Sequence, residues 1–202
     1  LSTAPASPAA PFEPTSLPDD AVELGRFGDA WGVKGWVHVL PHSADAEALV
    51  GCSDWYLLPP ERRTGKAFTA FDGPVRVHVS AIRAHGEGLV AHLQGVADRD
   101  VAASLKGVRI HVPRRAFPPL PEGEYYWVDL IGLTVVNREG APLGVVQDLM
   151  PTGPHSVLVL QATETVEGRQ RRIERMIPFV DAYIDDVDLQ ARRITADWQP
   201  DY

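Results

Sequence analysis

Of its 202 residues this chain spends one on cysteine (Cys52), two on methionine and three on lysine. A single cysteine excludes an internal disulfide and suits a reducing compartment, with Cys52 read as an inert small hydrophobe. No apolar run approaches the ~18 residues that span a bilayer. Surplus positive charge is missing too: 19 Lys and Arg face 27 Asp and Glu, a formal charge of −8. A protein that coats nucleic acid neutralises phosphates with excess cations, so that class is excluded for the chain as a whole. A soluble, cytoplasmic protein is expected.

The motifs of common catalysts are also lacking. There is no Walker loop, no G-x-S-x-G elbow, no H-E-x-x-H and no cysteine pair for zinc. Gly86-Glu87-Gly88-Leu89-Val90-Ala91 matches G-x-G-x-x-A, but that fingerprint needs a helix after it. Leu89–Leu93 reads as a strand, so these glycines are predicted to form a hairpin turn. The seven histidines are scattered, and no cofactor or metal is expected. Asp181, Asp185, Asp186 and Asp188 are acidic and close in sequence, yet lack the glycine and terminal Glu of a calcium loop. A solvated acidic rim is the reading; metal ligands of an RNA-processing enzyme are the alternative.

What is present is short β-segments punctuated by glycine and proline. Residues 1–20 carry five prolines and little to bury, which predicts a disordered tail. Strands are expected at Val22–Phe27, Gly35–Leu40, Asp54–Leu58, Val75–Ala81, Leu89–Leu93 and Val108–Val112. One helix, Arg99–Leu105, interrupts them, with Asp98 as N-cap and Gly107 as stop. Residues 113–124, PRRAFPPLPEGE, read as a stiff extended linker. Beyond it, strands are expected at Leu133–Val136, Pro142–Met150, Ser156–Gln161, Arg172–Pro178, Ala182–Val187 and Arg193–Ala196. Arg138-Glu139-Gly140 is read as a hairpin turn and Thr163–Arg175 as a long mobile hairpin loop. Such short, regularly spaced strands predict a mainly β protein: two small β-barrels in tandem, residues 21–112 and 125–198, then a short tail over 199–202.

Charge divides unevenly among these parts. The tail contributes −3, residues 21–124 are neutral, and residues 125–202 carry −5. An acidic module attracts basic partners, so the second block is expected to meet a basic protein. Arginine outnumbers lysine 16 to 3, in clusters at Arg62-Arg63, Arg114-Arg115, Arg169–Arg175 and Arg192-Arg193, which leaves local RNA contact open. Tyr125-Tyr126-Trp127 places three aromatics in a row after the linker. In a strand, at least one ring would face away from its own core, and such rings anchor interfaces. Packing between the domains is the other reading.

Gly25, Gly32, Gly35 and Val37 form a G-x-x-x-x-x-x-G-x-x-G-x-V arrangement, and Asp98-Arg99-Asp100-Val101-Ala102 leads through Leu105-Lys106-Gly107 into a strand. Glu124-Tyr125-Tyr126-Trp127-Val128-Asp129-Leu130-Ile131-Gly132-Leu133 precedes Leu143-Gly144-Val145-Val146, Ile177-Pro178-Phe179-Val180 and Val187-Asp188-Leu189. In this order, over residues 21–198, the chain resembles the RimM family of ribosome maturation factors, an N-terminal RimM barrel followed by a PRC barrel. It departs from the family at His155-Ser156, where Asn-Asp is usual. The resemblance implies a non-catalytic assembly chaperone that binds the immature small ribosomal subunit through a head ribosomal protein. It also implies help with 16S rRNA processing and head assembly. It marks Tyr125 and Tyr126, with Trp127 beside them, as partner-binding. Asp181, Asp185 and Asp186 would add electrostatic contacts, and Gly25, Gly32, Gly35, Asp129, Leu130, Gly132 and Gly144 would hold the structural motif. A monomer without membrane partners is expected; a PRC-barrel adapter in another complex is the other alternative.

Overall fold

The chain divides into two units, Leu1–Pro119 and Leu120–Tyr202. The computed structural model describes residues 12–42, 46–61, 68–86, 88–153, 155–166 and 169–200. The first unit contains β1 (Glu13–Pro14), β2 (Ala21–Trp31), β3 (Trp36–Pro41), α1 (Ala46–Gly51), β4 (Asp54–Leu58), β5 (Val75–His85), β6 (Gly88–Leu93), α2 (Arg99–Ser104) and β7 (Arg109–Pro113). The second contains α3 (Trp127–Leu130), β8 (Thr134–Asn137), β9 (Pro142–Thr152), β10 (His155–Val166), β11 (Arg169–Phe179), β12 (Ile184–Asp188) and β13 (Arg193–Ala196).

The first unit's ladder runs β5-β4-β7-β2-β3-β6 and returns to β5, so six strands close on themselves. Closure leaves no edge of this ring to pair with another chain. The alternation in Val75-Arg76-Val77-His78-Val79 aims its three valines inward, 2–8% exposed. Trp55 and Phe27 meet there at 6.1 Å, among Val37, Val39, Leu57 and Ile110, all 0% exposed. Strand β2 serves two neighbours by bending at two bulges, one against β7 between Glu23 and Gly25, one against β3 between Phe27 and Ala30. Helix α2 begins where expected: Asp98 Oδ1 accepts the Asp100 and Val101 amides at 2.9 and 3.0 Å. The G-x-G-x-x-A match is a hairpin, with His85 opposite Gly88 and Gly86 at φ +60°.

Three expectations for this unit need correction. Disorder does not extend to the second half of the predicted tail. Glu13–Pro14 pairs with Arg76 and Val75, Thr15 N donates to Pro74 O at 3.0 Å, and Asp20 pairs with Arg115. These polar contacts are long-range, so composition gave no sign of them. The first half of the expected linker also belongs to this unit: Pro113 ends β7, Arg114–Ala116 makes a 3-10 turn, and Phe117 is 8% exposed. A second helix, α1, buries Ala48 and Leu49; six residues are too few to show a helical period. Residues 1–11 and the Arg62-Arg63 pair lie outside the described residues.

The second unit's ladder runs β11-β10-β9-β8-β13-β12, antiparallel except for the parallel β8–β13 pair. Leu130, Val135, Leu143, Leu158, Ile177 and Ile194, drawn from α3 and five strands, gather into one core at 0% exposure. Phe179 at one end of the ladder and Ile184 and Val187 at the other pack on it, so the sheet wraps around that core. Thr163–Arg175 belongs to a hairpin, as expected, but its arms are strands rather than loop: Thr163 through Val166 pair in register with Arg172 through Arg169. The strand character was missed because the segment is mostly polar and shows no apolar alternation.

Candidate functional site

Tyr125-Tyr126-Trp127 does not form a strand. Tyr126 is extended, at φ −68° and ψ 138°, and caps the helical turn that starts at Trp127. Tyr125 meets Phe179 edge-on at 6.1 Å, and Tyr125 and Trp127 both pack half-buried on the second unit's core. Tyr126 is 4% exposed. No ring is therefore presented outright to solvent, contrary to the outward ring that a strand would give. Tyr125 and Trp127 keep partial accessibility, and Tyr126 a structural position.

The acidic residues lie at the other end of the ladder. Asp185 and Asp186 are on the edge strand β12, and Asp181 is exposed in the turn before it. Asp185 is engaged: Arg138 Nε and Nη2 donate to its two oxygens, each at 2.8 Å. Those hydrogen bonds hold the Asp185 carboxyl below its ordinary range. Arg138 also reaches Asp197 at 2.8 Å, and Asp188 accepts the Ala191 amide at 2.8 Å. Asp185 and Asp188 are thus used in holding turns and strand ends together. Among the described residues no three His, Cys, Asp or Glu converge as a metal site, so the aspartates do not support the metal-ligand alternative.

The motif residues surround this scaffold. Leu130 is fully buried in the core, and the Asp129 amide donates to Tyr126 O at 3.0 Å. Gly132, at φ +82°, donates its amide to Val146 O at 2.8 Å. Gly144 has φ +143°, and a Cβ there would lie 2.8 Å from Gln161 O. In the first unit Gly25 lets β3 approach, since a Cβ would sit 2.6 Å from Leu40 O. Gly32 and Gly35 turn β2 into β3 at φ +65° and +75°.

Two features escaped the sequence reading. Arg175, counted among the surface cations, is 7% exposed. It donates to Leu143 O and Pro200 O, each at 2.8 Å, and pairs with Glu164. Its partners are distant in sequence, so nothing local marks it. The second is an apolar outer row on β9–β10–β11. Met150, Val157 and Pro178 lie opposite one another, as do Val159 and Met176, while Leu149, Leu158 and Ile177 take the inner face. Met150 and Met176 are 37% and 48% exposed. The alternation inside β11, with Arg175 and Ile177 inward and Met176 outward, was the available signal.

Half-buried aromatics, an apolar outer row and the exposed Asp181 and Asp186 give this unit the means to dock a protein. Residues 22–117 match the model of the RimM N-terminal domain, and residues 127–202 that of the RimM PRC barrel domain. A curated ribosome maturation factor RimM from Polaromonas sp. is 55% identical over 97% of this chain and 97% of its own. One from Paracidovorax citrulli is 55% identical over 96% and 100%. A solved Pseudomonas aeruginosa chain described as a 16S ribosomal RNA processing protein RimM is 28% identical, covering 91% of this chain and 100% of that one, at a TM-score of 0.41.

Proposed function

Since the chain belongs to the RimM family of ribosome maturation factors, we propose that it binds the immature small ribosomal subunit through a basic ribosomal protein of the head. It acts there as a monomeric, non-catalytic chaperone in the cytoplasm, assisting 16S rRNA processing and head assembly. The observation that carries this reading is the 55% identity, sustained across both domains, to a curated maturation factor. The second unit supplies the protein-docking surface. Tyr125 and Trp127 contribute apolar area, Tyr126 holds their segment in place, and Asp181 and Asp186 raise the on-rate. Asp185 acts mainly through Arg138.

Co-sedimentation of purified chain with immature small subunits tests this. Wild-type protein is expected to be recovered with the particles, less so as salt rises. Tyr125→Ala, and the pair Asp181→Asn with Asp186→Asn, are expected to lower recovery without changing the fold. Because Tyr126 is buried, Tyr126→Phe serves there in place of alanine. Undiminished recovery of folded Tyr125→Ala removes that ring from the interface, and no recovery of wild type overturns the role.

A further inference from the structure

The outer face of the first barrel carries a chain of rings that its core does not use. Trp31 at the end of β2 and Trp36 at the start of β3 meet edge-on at 5.9 Å. Trp36 continues to His92 of β6 at 5.5 Å, Trp31 to His85 of β5 at 5.3 Å, and His85 to His38 of β3 at 5.7 Å. Arg83 of β5 lays its guanidinium over Trp36, 4.4 Å from the ring centre.

Register explains how four strands deliver these groups to one face. Trp36 lies opposite Trp31 and His92, and Val90 opposite both His38 and Arg83. The intervening Val37, Val39, Leu89 and Ala91 point inward at 0–8% exposure. Val90 shares the outward side yet is 1% exposed, because the layer of rings covers it. The rings and Arg83 are themselves half-buried or exposed.

Two indoles on an outer barrel face mark a binding surface rather than a core. Their companions select the ligand: three imidazoles and a guanidinium, with no carboxylate among the described residues of the cluster. Asp29, the acid that feels His38, is held by Lys106 at 2.7 Å. Among these described residues a basic protein finds no free counter-charge. Nucleobases stack on such rings whatever their sequence, and arginine serves both ring faces and phosphates.

We propose that the Trp31–Trp36–His38–His85–His92 face, with Arg83, is a stacking platform for unpaired bases of single-stranded RNA. That the RNA is ribosomal rests on the proposed role in subunit assembly. The platform's chemistry does not.

The test titrates full-length chain with a labelled oligouridine at low salt, reading anisotropy and tryptophan fluorescence. Binding with quenching is expected, weaker for an RNA duplex of equal length. Trp36→Leu and Arg83→Ala should each weaken it about tenfold with unchanged circular dichroism. If Trp36→Leu does not fold, Arg83→Ala and His85→Ala, both at exposed positions, decide. Wild-type affinity in those variants, or binding without quenching, overturns the platform. So does quenching by polyglutamate in place of oligouridine, which would indicate an acidic protein partner. Subunit sedimentation run alongside separates the two proposals. Wild-type chain that sediments with subunits but ignores oligouridine overturns the platform alone. An Arg83→Ala chain that loses oligouridine yet keeps some sedimentation supports it.

Discussion

The two units solve the edge problem of a small sheet in different ways. The first closes six strands into a ring, electrically neutral over residues 21–124. The second leaves β11 and β12 at the ends of its ladder among the described residues and carries −5 over residues 125–202. A closed ring demands tight turns and bulges, so its weak points are backbone positions. A wrapped sheet must tie down its ends, so its weak points are side-chain ties across long sequence gaps. Arg175 joins β11 to the β9 backbone and to Pro200, and Arg138 joins the β8–β9 turn to β12 and Asp197. Of the two ends β12 is the acidic one, with Asp185 and Asp186, whereas β11 carries Arg169, Arg171 and Arg172.

The largest expected effect would break the first unit at its turn. At Gly35 a Cβ would lie 2.1 Å from Val96 O with φ at +75°, whereas at Gly32 nothing lies within 4 Å. Gly35→Ala is expected to cost about 3 kcal/mol or more, Gly32→Ala about 1 kcal/mol. Urea unfolding resolved by hydrogen exchange would assign both losses to the first unit, and equal costs would refute the backbone argument. Next comes the second unit's tie. Arg175→Met leaves Leu143 O and Pro200 O without their donor and is expected to cost about 2 kcal/mol, raising exchange around β9 and residues 197–200 and sparing the first unit. Third, Asp98→Ala removes the one oxygen that accepts the Asp100 and Val101 amides and should cost about 1 kcal/mol, read as faster exchange in α2.

The smallest effect is pH dependence, expected to fall on the first unit. His111 is 6% exposed, and its Nε2 lies 3.6 Å from the Glu23 carboxylate. Burial pushes its pKa below the usual 6.5, against the pull of Glu23. Burial pushes Glu23 up, but hydrogen bonds from His42 and Arg26 and the nearby His111 outweigh it, so Glu23 ends below its usual 4.5. Both folded values are depressed, so the unfolded chain binds more protons on acidification. Stability from His111 is present above pH 6.5 and lost as pH falls through that range; that from Glu23 is lost from 4.5 downward. Thermal melts between neutral and mildly acid pH should show the first unit weakening, and His111→Phe should flatten the upper part of the slope. An unchanged slope in that variant would remove His111 as its source.

Much of the fold was legible because period-2 alternation and turn glycines are local. Asp54–Leu58 and Arg193–Ala196 occupy the residues expected of them, and Asp98 caps α2. What escaped depended on partners far along the chain. The segment that forms the outer β10–β11 ribbon is mostly polar in sequence, and Arg175 is indistinguishable in sequence from the exposed Arg171 and Arg172. Of the candidate site, the residue types were readable and their presentation was not. Tyr125, Tyr126 and Trp127 were visible as an aromatic run, yet the helical turn at Trp127 decides that Tyr126 is buried. Asp185 was visible as acid, yet Arg138, 47 residues away, engages it.

The sequence by itself determined the strand pattern, the family, and the separation of a neutral block from an acidic one, because alternation, motif spacing and charge are properties of neighbouring residues. Only the tertiary structure decided that one ladder closes while the other wraps, which aspartates are engaged, and that Trp31, Trp36, His38, His85 and His92 share one outer face. Those outcomes depend on register between strands brought together from distant parts of the chain, and no local pattern encodes that register.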